Sequence, residues 1–352
     1  MKDPSRKSSG GRSVFLLLLA LTSRCGDSIP SQSSADTPAD GGADATGDAC
    51  GAQSLVSDER DIDILFLVAT SASMATIDED PSQGSRWVAV SSALRTFVTS
   101  LSGRRFGAGI SFYPFLLGGD DGGSPVESCS VSDYRTTEVS IAALDPIGSH
   151  AADVEAALGP RLLAGGNAMA AALAGALRQA ARAKASTGHI VQTVLVTDGA
   201  IDPCGGGVAS AATAAADAFH TDYLETYVLG VGPDAKNLDP IGAAGGTFHA
   251  YTAGNEGIAA ALATLGASMR RCRFFFPMVL PESGFSRVDM LMEDGNSREH
   301  LSRLMDGSGC AQNRGWFYNS PTTPAYAIFC PATCDALLER PARRVSALLG
   351  CL

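Results

Sequence analysis

The chain has 352 residues, of which 45% are hydrophobic and 18% are charged, a balance typical of globular proteins with a buried core. Its 37 Asp and Glu residues against 26 Lys and Arg give a formal net charge of −11. Nucleic acids and anionic lipids bind basic surfaces, so this acidic composition excludes them as direct partners. The length predicts one large domain and one smaller domain.

Residues 1–24 have the pattern of a secretory signal peptide, with a positively charged head followed by the apolar run Val14–Leu21. That run is too short to span a bilayer. Cys25 follows directly, in a context similar to a bacterial lipobox, whose cysteine is acylated after cleavage. Arg24 departs from that pattern, because the residue before the cysteine is normally small. We expect lipidation at Cys25 and a location in the bacterial cell envelope, periplasmic or on the outer-membrane surface; ordinary secretion is the alternative.

Without Cys25, an even number of cysteines remains in a chain expected to be exported, which indicates up to four disulfides of open connectivity. The disulfide candidates are Cys50, Cys129, Cys204, Cys272, Cys310, Cys330, Cys334 and Cys351. The spacing of Cys330 and Cys334 also suits a metal knuckle. No second cysteine pair or histidine at ligand spacing accompanies it, so disulfides are the favoured interpretation.

Residues 25–59 are predicted to form a flexible acidic linker, because they contain few large apolar side chains with which to offset the entropy of ordering. From Asp61 onward, strand and helix patterns alternate. In chain order we predict strand Ile62–Val68, helix Trp87–Leu101, strand Phe106–Leu117, helices Ala151–Leu158 and Met169–Ala185, strand Ile190–Val196, helix Ala209–Phe219, strand Tyr223–Val231, helix Leu238–Ala244, strand Thr247–Tyr251 and helix Ile258–Met269. This order predicts an α/β domain over residues 60–270, with a Rossmann-like, mostly parallel sheet covered by helices on both faces.

The pattern changes in residues 271–352, which hold five of the nine cysteines. The predicted elements are strands Arg273–Leu280, Arg287–Met292 and Trp316–Phe329, helix Cys334–Arg340 and strand Val345–Leu349. We expect a small α+β extension rich in disulfides, since so short a segment buries little core of its own.

Two apolar strands end in short polar loops: Ile62–Val68 runs into Thr70–Ser73, and Ile190–Thr197 runs into Asp198–Gly199. If the strands are parallel neighbours, both loops lie at the carboxyl edge of the sheet, where open α/β folds bind ligands. Between them, Leu163–Asn167 opens an Ala-rich helix. Motifs in this order resemble the von Willebrand factor A (VWA) domain, and the layout of the chain resembles VWA-containing lipoproteins of myxobacteria.

The resemblance implies a metal-ion-dependent adhesion site (MIDAS), in which hydroxyl and carboxylate oxygens hold Mg²⁺ or another divalent cation. The matching positions here are Ser71, Ser73, Asn167 and Asp198. Ala69 stands where the family has its first Asp, and Asn167 replaces a threonine. Two interpretations stay open. The site is degenerate and holds no ion, or it binds an ion weakly and an acidic side chain of a partner completes the shell.

Catalysis is not predicted, because the sequence contains neither a G-x-S-x-G nor an H-E-x-x-H motif and its five histidines are scattered. The resemblance implies a protein-binding, adhesion-like module that uses the loops 70–80, 164–168 and 198–206. Its partners would be proteins in the envelope or outside the cell, and it would meet the membrane only through its lipid anchor. The alternative is a structural or assembly component of the envelope with a vestigial, metal-free site.

Overall fold

The computed structural model describes residues 60–78, 84–118, 125–199, 202–276, 285–310, 314–322, 324, 326–340 and 342–349, together with the backbone of the strand Gln53–Val56. The predicted signal peptide, Cys25, Cys50 and Cys351 lie outside the described residues. Within the described part of the chain, no helix is long and apolar enough to cross a membrane.

The strands are β1 (Gln53–Val56), β2 (Ile62–Ala69), β3 (Phe106–Tyr113), β4 (Leu116–Leu117), β5 (Val126–Glu127), β6 (Val139–Ala143), β7 (Ile190–Thr197), β8 (Glu225–Val231), β9 (Tyr251–Ala253), β10 (Arg273–Phe275), β11 (Val288–Asp294), β12 (Ser297–Arg303), β13 (Gly315–Tyr318), β14 (Tyr326–Phe329) and β15 (Arg344–Leu349). The helices are α1 (Arg86–Leu101), α2 (His150–Ala157), α3 (Met169–Thr187), α4 (Gly207–Asp222), α5 (Asp239–Ala244), α6 (Ile258–Arg271) and α7 (Pro331–Glu339).

The first sheet has the strand order β6-β3-β2-β7-β8-β9. All neighbours in it are parallel except β3 and β6. Every residue of β2 and of β7 is buried, as expected for apolar strands covered on both faces. Helix α1 packs against α2 and α6, and α4 packs against α3 and α5. The predicted α/β class with a mostly parallel sheet is confirmed.

The second sheet has the order β1-β15-β11-β12-β13-β14-β10, and only β12 and β13 pair in parallel. It forms its own apolar cluster, in which Trp316, Phe274, Phe276 and Met290 are buried. Because β1 completes this sheet, the prediction that the linker extends to residue 59 is wrong for Gln53–Val56.

Among the residues that the structure describes, three disulfides join cysteines that the sequence predicted as candidates. Cys272–Cys334 and Cys310–Cys330 lie in the C-terminal extension, which confirms its disulfide-rich character. Cys129–Cys204 instead lies within the first domain, where it joins the segment after β5 to the loop before α4. Sequence reasoning had left this connectivity open.

Two predicted strands are each divided in the structure. The strand predicted at Phe106–Leu117 ends at Tyr113, because Pro114 has no N–H to continue the ladder; a two-residue strand follows. The strand predicted at Trp316–Phe329 is the antiparallel pair β13 and β14. Strands β6 and β12 escaped prediction because most of their side chains are polar or exposed, which hides the apolar alternation.

Candidate functional site

The candidate site lies at the carboxyl edge of the first sheet, between β2 and β7. When the six strands of this sheet are numbered by their order in the chain, they lie across the sheet in the order 3-2-1-4-5-6. The chain therefore leaves β2 and β7 in opposite directions. The crevice between such strands is the topological switch point, where doubly wound folds bind their ligands. The turn Ala72–Ala75 follows β2, and Asp198 follows β7 at this point.

Backbone hydrogen bonds hold three loops together at this edge. Ala72 N–H donates to Gly165 O at 3.1 Å, and Ala164 N–H donates to Thr70 O at 3.1 Å, so the loop before α3 lies against the loop after β2. The Asn167 side chain then donates to Thr197 Oγ1, at the end of β7, at 3.2 Å. Residues distant in sequence are thereby placed in one crevice.

The two serines of the β2 loop contact each other. Ser71 is buried, and its Oγ lies 2.9 Å from Ser73 Oγ in a hydroxyl–hydroxyl hydrogen bond. Asn167 and Asp198 are fully buried. Ala69, the last residue of β2, is also fully buried and brings no oxygen-bearing side chain to the site.

A buried arginine dominates the electrostatics of this crevice. Arg86 is only 5% exposed, although it begins α1. Its Nη1 donates to Asp198 Oδ2 at 3.2 Å, and its Nη2 donates to Asp78 Oδ1 at 2.9 Å. Nε lies 3.1 Å from both oxygens of Asp78. The guanidinium therefore joins two carboxylates that are 120 residues apart in the sequence by their numbers, 78 and 198.

The two carboxylates offset an otherwise costly placement of positive charge. A cation at the amino end of a helix opposes the helix dipole, and its burial removes it from water. The hydrogen bond to Asp78 is the largest cause that raises the pKa of Arg86, and the charges of Asp78 and Asp198 add to it against the effect of burial. The guanidinium is therefore positively charged at neutral pH.

The residues of the crevice do not fit a divalent cation. Such an ion needs several oxygen ligands, with carboxylates to compensate its charge. Asp198, the carboxylate at the predicted site, already pairs with a buried cation, and Ala69 supplies none. Elsewhere in the described residues, no group of three or more His, Cys, Asp or Glu side chains is arranged to hold a metal ion.

Beside the crevice lies a groove of about 340 Å³, lined in part by Thr70, Phe112, Tyr134 and Arg161. The Arg161 guanidinium lies 3.5 Å from the centroid of the Phe112 ring and forms an ion pair with Glu138 at 2.9 Å. Large apolar side chains are exposed at and around the groove: Phe115 at 47%, Leu117 at 49%, Val126 at 61% and Leu162 at 73%. We call these four residues the apolar rim.

A disulfide and two hydrogen bonds hold together the loops next to the apolar rim. The disulfide Cys129–Cys204 joins the segment after β5 to the loop after β7. Gly166 N–H donates to Glu127 Oε2 at 3.0 Å, which ties the loop before α3 to β5. Tyr134 OH donates to Ser128 O, and burial raises the pKa of this phenol to about 12, so it remains a donor at neutral pH.

Sequence reasoning did not single out Arg86. Arg86 lies directly before the predicted helix Trp87–Leu101, where an arginine is usually solvated, and no spacing rule connects it to Asp198. Asp78 lies in the predicted binding loop 70–80, and its carboxylate supplies one of the two negative charges beside Arg86.

The strand order is that of a doubly wound α/β fold, and with the polar loops at the switch point it agrees with the VWA-like fold that the sequence motifs predict. No family model matches the sequence, and no curated protein matches it. Among solved structures, an aerotolerance-related membrane protein from Bacteroides fragilis is 15% identical over 58% of this chain and 96% of that one, with a TM-score of 0.38. The VWA domain of SpRpn10 is 10% identical over 58% and 95%, also with a TM-score of 0.38.

A third structure, the manganese-loaded TRAP protein of Plasmodium vivax, is 13% identical over 60% of this chain and 75% of that one, with a TM-score of 0.37. Because these identities and TM-scores are low, the functions of these proteins are not transferred to the present chain. Its function has to be inferred from its own residues.

Proposed function

We propose that this chain is a protein-binding module of the bacterial cell envelope, not an enzyme, and that it binds its partner at the carboxyl edge of the first sheet. The observation that carries the proposal is the apolar rim, in which Phe115, Leu117, Val126 and Leu162 are exposed beside one groove. Exposed apolar side chains that cluster on the surface of a domain mark interaction sites, whereas singly exposed apolar side chains are common and carry no such meaning.

The proposed interaction is one between proteins. Apolar side chains that become buried at the centre of an interface supply most of its affinity, and the surrounding polar groups exclude water. The pair Arg161 and Glu138 lies beside the rim and would provide such a polar border. The acidic net charge of −11 disfavours nucleic acid as the occupant.

We further propose that the module is lipidated at Cys25 and reaches its partner from a membrane surface. Three disulfides fit an exported protein, because thiols stay reduced in the cytosol. A mass spectrum of the mature, non-reduced protein from its host tests this. We expect an acylated amino-terminal Cys25 and at least three disulfides; an unmodified or absent Cys25 would contradict the anchor but not the binding module.

The binding proposal is tested by capture from envelope extracts with matched variants. Leu162→Asp places a charge in the rim, whereas Ile147→Asp places the same charge at another exposed apolar residue, 99% exposed, in the segment between β6 and α2. We expect the wild type and Ile147→Asp to retain the same protein and Leu162→Asp to lose it. Equal capture by all three, or no specific capture by the wild type, would refute the proposed surface.

A further inference from the structure

We propose that the guanidinium of Arg86 takes the place of a divalent cation at the switch point, so that this loop edge is assembled without metal. The inference does not rest on the protein-binding proposal, because it concerns what compensates the carboxylates of the crevice. It also decides between the two interpretations that the sequence left open for Ser71, Ser73, Asn167 and Asp198.

The contacts of Arg86 are those that a bound cation would otherwise have to make. Its guanidinium lies within hydrogen-bonding distance of a carboxylate from the loop after β2 and of a carboxylate from the end of β7. One positive charge thus holds together the two loops that a metal ion would bridge. The backbone N–H of Arg86 also donates to the backbone carbonyl of Thr76 at 3.0 Å, which fixes the start of α1 against the same loop.

The surrounding backbone is shaped around the arginine. Gly232, just after β8, has a φ of +83°, and a Cβ there would lie 2.7 Å from Arg86 Nε and 2.8 Å from Cζ. A side chain at this position would displace the guanidinium, so the glycine is needed both for its backbone conformation and for space. Four segments, from the ends of β2, β7 and β8 and from the start of α1, therefore meet at one built-in cation.

An internal cation has a consequence for the partner. In the adhesion site that the VWA resemblance implies, a carboxylate of the ligand would complete the oxygen shell of the ion. Here the side chain of Arg86 is 6% exposed, and two carboxylates surround its single positive charge. The crevice thus carries a net negative charge and offers no open cation, so an acidic side chain of a partner is not what it recognises. For the protein-binding function proposed above, recognition would then fall to the apolar rim beside the crevice.

The test uses MnCl₂ alone and four purified proteins: the wild type, Asp198→Ala, Ala69→Asp and the double variant Ala69→Asp/Arg86→Ser. Both Ala69→Asp proteins restore the carboxylate that the VWA motif has at this position, and they differ only at Arg86. Isothermal titration measures Mn²⁺ binding directly. Thermal unfolding is measured without Mn²⁺ and with Mn²⁺ at about 10 times the highest dissociation constant expected. It measures the same binding through stability and reports whether each variant is folded.

We expect no Mn²⁺ binding to the wild type or to Ala69→Asp, and binding by the double variant with a dissociation constant on the order of 10⁻⁵ to 10⁻³ M. Mn²⁺ should raise the unfolding temperature of the double variant alone. The proposal is overturned if the wild type binds Mn²⁺ and Asp198→Ala abolishes that binding, or if Ala69→Asp binds as tightly as the double variant. A wild type that binds Mn²⁺ through Asp198 overturns the proposal even if the double variant does not fold, and a folded double variant that binds no Mn²⁺ overturns it as well.

Discussion

Replacing Arg273 with Met tests how the two sheets are joined. Arg273 is the first residue of β10, and its Nε donates to Glu225 Oε1 of β8 at 2.8 Å. Nη2 donates to Tyr227 OH at 3.1 Å, and Gln192 of β7 donates to the other oxygen of Glu225 at 2.7 Å. Burial is the largest single effect and lowers the pKa of Arg273, but the charge and hydrogen bond of Glu225, together with Tyr227 and Tyr326, outweigh it, so the net pKa is raised.

The magnitude follows from burial, and the chain supplies a matched control. The side chains of Arg273 and Glu225 are 3% and 0% exposed, so Arg273→Met leaves a buried carboxylate without its cation, at a cost of about 3–5 kcal/mol in the free energy of unfolding. Arg314 and Glu299 form an ion pair at the same 2.8 Å but are 46% and 42% exposed. We expect Arg314→Met to cost at most about 1 kcal/mol.

Urea unfolding followed by tryptophan fluorescence is the assay. The chain has two tryptophans, Trp87 in α1 and Trp316 in β13, and both are buried. In a Trp87→Phe background, Trp316 alone reports on the second sheet. Because Arg273 joins that sheet to β7 and β8, we expect the same loss in the free energy of unfolding whether both tryptophans or Trp316 alone is followed. The reasoning is refuted if Arg273→Met costs no more than Arg314→Met, or if the urea midpoint shifts with one of these two signals and not with the other.

Three further outcomes are expected. Replacing Cys129 and Cys204 with serine should lower the free energy of unfolding by about 4 kcal/mol, since their disulfide closes a 75-residue separation; an unchanged urea midpoint would contradict this. Burial raises the pKa of Asp63 from 3.8 despite its contact with His189, so the wild type should lose stability relative to Asp63→Asn as pH rises above 3.8, measured as urea midpoints across pH; a constant difference would refute this. In thermal unfolding, Gly232→Ala should destabilise more than Gly188→Ala, because a Cβ at Gly232 meets Arg86 and the φ/ψ of +83°/−179° there is adopted almost only by glycine, whereas Gly188 has open space and a left-handed helical conformation; equal losses would refute this.

The order of elements in the first domain could be predicted because each buried strand is a continuous apolar run and each helix has its own periodicity. Those signals are local, so β2 and β7 were found within a residue of their observed ends. The strands that escaped are edge or polar strands, whose side chains face solvent and whose pairing depends on a distant partner. The division of Trp316–Phe329 into a hairpin was hidden for a related reason, because apolar residues continue through both of its strands.

The sequence could also predict which loops meet at the candidate site, because parallel strands end at the same edge of a sheet. It could not predict which side chain fills the crevice between them. Arg86 and Asp198 are 112 residues apart, and only the folded chain brings the start of α1 beside the residue that follows β7, so that the guanidinium meets the carboxylate. The sequence by itself determined the α/β fold and the loss of the leading aspartate at Ala69, since both are read from local patterns. The tertiary structure alone decided that a buried arginine compensates the remaining charge, since an ion pair between distant residues exists only once the sheet has formed.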